Sequence, residues 1–295
     1  MSRPPRNSRR PKKSPKMHGK SSQKTPRSES GSNPRQKRGP SSSKQEASLG
    51  RRPSRDTKRG LIWGQHAVLA ALANPARQIH KGWVSPAAKA RLQLGSESRL
   101  IETPPGEMDA ILPDGAAHQG LALHCAPLPA AELDSIIRPA QGLILVLDQI
   151  TDPHNVGAMF RLASAFGARG IIMQDRKAPP LDGATAKVAV GNVETVPCAT
   201  VTNIANTLLT LRETGWLVTG LAGETELTLQ QALRLPKNAT VHANAIVLGA
   251  EGPGLRKRVR ECCDQLARIP MPGGAESLNV ATAAAIAAYE AVREG

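Results

Sequence analysis

Aromatic side chains are almost missing from this chain: Trp63, Trp83, Trp216, Phe160, Phe166 and Tyr289 are 2% of 295 residues. A module that holds RNA by stacking several bases on rings needs more than this. Long apolar runs are missing too. None approaches the roughly 18 residues of a membrane span, and no apolar segment follows the basic N-terminus, as a secretory signal would require. No membrane association is therefore expected. Cysteine is sparse, at Cys125, Cys198, Cys262 and Cys263, with no CxxC pair. Reduced thiols in a cytoplasmic protein are the expectation. His154 has no companion at HxxxH or Cys/His spacing, so zinc is discarded and no metal is expected.

Acidic residues are short in one region only. Of 39 Lys+Arg and 24 Asp+Glu, residues 1–60 hold 19 and 3, and residues 61–295 hold 20 and 21. The high isoelectric point belongs to a tail, and the body is near neutral. Residues 1–57 mix Pro, Ser, Arg and Lys with almost nothing to bury, so a disordered basic tail is expected. It reads either as a solubilising extension or as a polycation drawn to nucleic acid phosphates by counterion release. Its prolines and lack of apolar side chains exclude the amphipathic helix of a mitochondrial presequence.

From Gly60 the texture changes. Residues 61–64 read as a short strand or turn and 65–72 as a helix; 117–120 form a turn before a strand over 121–125. Together they suggest a small α/β unit over about 60–127, with 128–141 as a linker carrying one short helix. Beyond it, strands and helices alternate. Strands are expected at 143–147, at 170–173, ending near 196–198, at 216–221, at 245–248 and at 268–270. Helices are expected near 155–166, 184–190, 203–213 and 227–233, with a long terminal helix over 278–293. Such alternation argues for a mainly parallel sheet covered on both faces, with ligands at the carboxyl ends of its strands. There is no internal repeat.

Three loops carry most of the information, each directly after an expected strand. In 152–161, Asp152 or Asn155 can cap a helix, Gly157 admits a close neighbour, and Arg161 follows six residues beyond Asn155. An arginine there is ordinarily a surface residue or half of an ion pair. In 249–254, three glycines in GxxGxG order free the backbone to approach a ligand. The pattern is neither the dinucleotide GxGxxG nor a phosphate loop. Glu251 at its centre would repel phosphate and suits a hydroxyl, an amine or a cation; alternatively it sits near the positive end of a helix dipole. In 269–281, a Pro/Gly loop leads to a helix capped by Ser277 or Asn279.

The stretches DPHNVGAMFRLASAFGA (152–168), VLGAEGPGLRKRV (247–259) and IPMPGGAESLNVATA (269–283), in that order, resemble the SPOUT superfamily of RNA methyltransferases in its SpoU (TrmH-type) branch. IWGQHAVLAAL (62–72) and DGAAHQGLAL (114–123) resemble the small N-terminal domain of the large-subunit rRNA guanosine 2'-O-methyltransferases. The resemblance implies a Rossmann-like, mainly parallel α/β fold with a C-terminal deep trefoil knot over 142–295, preceded by a small α/β RNA substrate-binding domain over 58–127. It implies a homodimer, and S-adenosylmethionine as methyl donor. The donor would be held by Leu221, Ala222, Gly223, Leu248, Gly249, Gly254, Ile269, Met271, Ser277 and Leu278. Arg161 matches the family's catalytic arginine, and Asn155, Glu251, Ser277 and Asn279 match polar positions that orient substrate, arginine and donor. Because a free guanidinium keeps its proton, Arg161 reads as an electrostatic stabiliser of the oxyanion or of an adjacent phosphate rather than as a base. The implied reaction is methyl transfer to the ribose 2'-hydroxyl of a guanosine, in large-subunit (23S) rRNA. The alternatives are a tRNA guanosine 2'-O-methyltransferase and a non-enzymatic RNA-binding or ribosome-assembly factor. A nucleotide-dependent oxidoreductase fails on the missing GxGxxG.

Overall fold

Every residue from Leu143 to Leu147 is apolar because both faces of that strand are covered. Leu143, Leu145 and Leu147 enter one core, Ile144 and Val146 the other, as the two-residue period of a strand requires. The computed structural model describes residues 59–95, 100–234 and 243–293, all within one compact unit, 52–295. The expectation of a disordered basic tail over 1–57 lies outside the described residues.

The chain runs through β1 (Leu61–Trp63), α1 (Gln65–Ala73), β2 (Ile79–Val84), α2 (Pro86–Arg91), β3 (Ile101–Glu102), α3 (Pro105–Ile111), β4 (Leu121–Cys125) and α4 (Leu133–Ile137). It continues through β5 (Gly142–Asp148), α5 (Pro153–Ala165), β6 (Gly170–Gln174), α6 (Gly183–Val188), a 3-10 turn (Asn192–Glu194) and β7 (Cys198–Val201). Then come α7 (Ile204–Glu213), β8 (Leu217–Leu221), α8 (Leu229–Ala232), β9 (Ala243–Gly249), α9 (Lys257–Cys262), β10 (Gln265–Ala267) and α10 (Val280–Val292). Four strands form a small mixed sheet, ordered β1-β4-β2-β3, and six form a sheet ordered β10-β8-β9-β5-β6-β7. All five pairings of the six-stranded sheet are parallel. Val156, Met159, Phe160 and Ala163 of α5, with Ala284, Ala287, Ala288 and Ala291 of α10, cover one face. Ile204, Leu208 and Leu211 of α7, with Val259 and Cys262 of α9, cover the other. Each fully buried Leu, Ile or Phe contributes about 1.5–3 kcal/mol, which makes this three-layer core the main source of stability.

Two expected strands are displaced. The strand expected to end near Cys198 begins there, because Asn192–Glu194 turn as 3-10 helix and Pro197, whose carbonyl accepts from Ile171 at 2.9 Å, leads into β7. The strand expected at 268–270 lies three residues earlier. Gln265–Ala267 pairs with Thr219–Leu221, and beyond it Arg268 makes a single parallel bridge to Thr228. The helix expected over 227–233 is a single turn, Leu229–Ala232, whose start is fixed by a capping box between Thr228 and Gln231.

The small sheet is fastened to the large one by a buried ion pair. Arg77 reaches Glu194 through Nη2 at 2.6 Å and Nε at 3.1 Å, and Asn74 Nδ2 donates to the same carboxylate at 2.8 Å. The third guanidinium nitrogen donates to the Ala126 carbonyl at 3.0 Å. Gly191 allows α1 to come close: its φ is +88°, and a Cβ there would lie 2.6 Å from Ala70 Cβ and 2.9 Å from the His66 carbonyl oxygen.

Candidate active site

The carboxyl ends of β8, β9 and β10 and the loop before α10 enclose a cavity of about 660 Å³, a volume typical of small-molecule sites. Leu221, Ala222 and Gly223 enter it from the end of β8, Leu248, Gly249 and Gly254 from β9 and the loop after it, and Ile269, Met271, Ser277 and Leu278 from the last loop. Glu251 and Asn279 lie on its wall as well. All ten residues expected to hold a donor thus share one cavity.

The β9 loop turns back on itself. Gly254 N–H donates to the Ala250 carbonyl at 2.9 Å, and a Cβ on Gly249 would lie 2.3 Å from the Gly254 carbonyl carbon and 2.4 Å from Leu255 nitrogen. Backbone occupies that space, so no other residue fits. Arg256 then anchors the loop to the end of β5, with Nε 2.8 Å and Nη2 2.6 Å from Asp148 Oδ1 and its backbone N–H 3.2 Å from Oδ2. Asp148 is fully buried. It is the first charged residue after an apolar run, which is the signal in sequence that marks it; nothing in sequence names Arg256 as its partner.

Asp152 caps α5 by accepting from His154 N–H at 3.0 Å. That leaves Asn155, one turn into the helix, free to reach inward. Its Nδ2 donates to Glu251 Oε1 at 3.0 Å, and its Oδ1 accepts from Asn279 Nδ2 at 3.1 Å. Asn279 Nδ2 also donates to Glu251 Oε1, at 2.8 Å. Asn279, not Ser277, caps α10, since its Oδ1 accepts from the backbone of Ala281 and Thr282. One residue from each of the three loops thus meets in a closed network. Glu251 Oε2 has no hydrogen-bond partner among the described residues.

Gly157 serves packing rather than a ligand: a Cβ there would lie 2.7 Å from the Thr185 carbonyl oxygen and from Val188 Cβ, both on α6. Arg161 stands apart. It is exposed on α5, outside the cavity wall, and forms no hydrogen bond or ion pair with the described residues. Sequence reading missed the polar rim. Glu224 and Arg260 border the cavity and are paired, and the hydrogen bond from Arg260 holds the Glu224 carboxyl below the usual carboxylate range.

The groups on the cavity suit a nucleoside bearing an apolar, charged-centre tail. Gly223 and Gly254 leave open the space a side chain would take, with no atom within 4 Å of a Cβ on either. Ile269, Met271 and Leu278 offer apolar surface, and the strand ends offer backbone donors and acceptors. Among the described residues no group of three or more His, Cys, Asp or Glu could hold a metal, and no helix is long and apolar enough to cross a membrane.

A parallel α/β sheet with a ligand-sized cavity at its carboxyl edge is the arrangement of cofactor-binding α/β enzymes. The chain superposes on the SpoU methyltransferase AviRb of Streptomyces viridochromogenes, solved in complex with the cofactor AdoMet. The TM-score is 0.64 at 23% identity over 82% of this chain and 93% of that one, which shows a shared fold. The chain belongs to the SpoU rRNA Methylase family, whose model matches residues 142–289. A second family model, RNA 2'-O ribose methyltransferase substrate binding, matches residues 61–131. Relatives named 23S rRNA (guanosine-2'-O-)-methyltransferase RlmB are each 39% identical. That of Pseudomonas syringae pv. tomato aligns over 79% of this chain and 95% of its own length, that of Vibrio cholerae over 79% and 96%.

Proposed function

We propose that this protein is an S-adenosylmethionine-dependent RNA methyltransferase that methylates the ribose 2'-hydroxyl of a guanosine in large-subunit (23S) rRNA. The observation that carries the reading is the joining of Asn155, Glu251 and Asn279 beside a donor-sized cavity walled by strand ends. Similarity to relatives named for this reaction, over nearly their whole length, supports the substrate.

S-adenosylmethionine bound in the cavity supplies a methyl group on a sulfonium, already activated for transfer. The protein therefore aligns and stabilises charge rather than creating a nucleophile from nothing. Backbone at Leu221, Ala222, Gly223, Leu248, Gly249 and Gly254, apolar side chains of Ile269, Met271 and Leu278, and Ser277 hold the donor. Asn155 and Asn279 orient the Glu251 carboxylate through Oε1, leaving Oε2 to accept a hydrogen bond from the ribose hydroxyl and to take its proton as the O–CH3 bond forms. The Arg161 guanidinium offers its charge to the developing alkoxide or to a neighbouring phosphate.

Residues 58–127 act as the RNA substrate-binding domain, 128–141 as linker and 142–295 as methyltransferase domain, with the C-terminal segment threaded as a deep trefoil knot. Residues 1–57 add affinity for RNA through charge. The working form is a cytoplasmic homodimer joined through the methyltransferase domain, a reading supported by the exposed Ile286, Tyr289 and Val292 of α10, spaced along one side of the helix.

Calorimetry and ribose mapping test this. The protein should bind S-adenosylmethionine; no binding would leave only an assembly factor. Cells lacking the gene should lose one guanosine 2'-O-methyl in large-subunit rRNA. Loss from tRNA instead would overturn the substrate.

A further inference from the structure

The stretches around Gln65 and Gln119 lie away from the donor cavity, yet the structure knots them together with two cations. Gln119 Oε1 accepts from the backbone N–H of Gln65 at 3.0 Å and from the Lys187 ammonium at 2.9 Å. Arg91 Nη2 donates to the Gln119 carbonyl at 3.3 Å and to Gln65 Oε1 at 3.4 Å. Two donors converge on one side-chain oxygen of Gln119, which settles the orientation of its amide. Gln119 holds a left-handed backbone, φ +55°, uncommon for a residue with a side chain and frequent at ligand sites. Gly64, next to Gln65, has φ +91°, a backbone region that disfavours any side chain, and the Lys187 ammonium lies over it, 2.4 Å from where a Cβ would stand.

The cluster has a definite polarity. Its oxygens are used inside it, while the amide nitrogens of Gln65 and Gln119 have no acceptor among the described residues. Nor do Lys187 and Arg91 pair with any carboxylate among them, although both are cations. Burial of Lys187 without a counter-charge disfavours its ammonium, and its pKa is pushed down accordingly. Arg91 and Gln119 are exposed and Gln65 and Lys187 partly so, and a solvent-accessible cluster that presents free N–H donors and two positive charges is the complement of an anion with several acceptor oxygens.

The geometry points to a phosphodiester subsite: Lys187 and Arg91, with the Gln65 and Gln119 amides, hold one backbone phosphate of the RNA substrate where the small sheet meets α6. This rests on the reading of the protein as an RNA methyltransferase. It supplies a reason for the two sheets to be joined rigidly, because the site takes Gln65, Arg91 and Gln119 from one and Lys187 from the other. The same short helix packs on Gly157 of α5, so a strand held at Lys187 is tied to the helix that carries Asn155 and Arg161.

Full-length K187Q and R91Q, which remove the charge but keep a polar N–H donor on a flexible side chain, test the subsite. Binding of 23S rRNA purified from cells lacking the gene is measured against salt. Each variant should lower the slope of log affinity against log salt by about 1. If affinities converge at 1 M salt, that is an about tenfold loss at 0.1 M. KM for RNA should rise, while S-adenosylmethionine binding by calorimetry matches the parent. Unchanged slopes in both variants, with a parent that methylates RNA, would overturn the subsite and leave the activity standing. Reduced slopes with a parent that methylates nothing would keep the subsite and overturn the activity. Inorganic phosphate at fixed ionic strength should not displace RNA. Displacement that K187Q abolishes would instead assign the site to a free anion.

Discussion

Replacing Glu194 with Gln should cost this fold about 3–5 kcal/mol, the usual penalty for leaving one partner of a buried pair uncompensated. The structure sets the magnitude. The Arg77 and Glu194 side chains are 2% and 1% exposed, so water cannot replace the lost charge, and the discount for exposed pairs does not apply. Glutamine has nearly the same shape but only one oxygen, so it cannot keep the bidentate grip and also accept from Asn74. For a domain of this size, each kcal/mol lowers Tm by about 2–4 °C, which puts the loss at about 6–20 °C. Urea unfolding of E194Q, R77M and the double variant R77M/E194L gives the assay. The double variant should be markedly more stable than E194Q, since removing both charges removes the desolvation they share. A loss below about 1 kcal/mol in E194Q, or a double variant no better than the single, would refute the claim that this pair fastens the small sheet to the large one.

R161A should retain S-adenosylmethionine binding and lose methyl transfer by about a hundredfold or more, the scale of removing an oxyanion-stabilising group; comparable single-turnover rates would remove Arg161 from the chemistry. L278R places a long cation against the cavity wall and should abolish donor affinity in calorimetry, and parental affinity would mean the donor sits elsewhere. Deleting residues 1–57 should weaken RNA binding and flatten its salt dependence without abolishing turnover, and an unchanged slope would make the tail a solubility device. Burial pushes the thiols of Cys125 up to about 11 and of Cys198 and Cys263 up to about 12. They therefore stay protonated at pH 8, and alkylation of the native protein at these three positions should be far slower than in urea; equal rates would contradict their burial.

Much of the frame was readable because its causes are local. An unbroken apolar run signals a strand covered on both faces, and the alternation of such runs with amphipathic helices signals a parallel sheet. The three loops were visible from glycine spacing and polar residue types. Their connection was not, because the Asn155–Glu251–Asn279 network closes over 96 and 124 residues, and no local pattern encodes who meets whom. The same holds for Glu194, whose partner Arg77 is 117 residues away. The strand at Gln265–Ala267 was misplaced for a related reason. Ile269 is more strand-like than Gln265, yet register with Thr219–Leu221 decides. Gly157 was legible as a place of close approach, but not what approaches, because packing between helices makes the same demand for a missing side chain as a ligand does.

The sheet order has a consequence for how the protein is made. Strand β5 pairs with β6 on one side and with β9 on the other, and β9 is synthesised long after both. While the polypeptide is still emerging, the most apolar strand of the molecule has one bare ladder of amides and carbonyls, an edge open to pairing with any other chain. Strands β8 and β10 can join β5 only after Ala243–Gly249 slots between them and it. Assembly of this enzyme is thus a late insertion at its centre, slow by its long-range topology and exposed to mispairing until Ala243–Gly249 has been made.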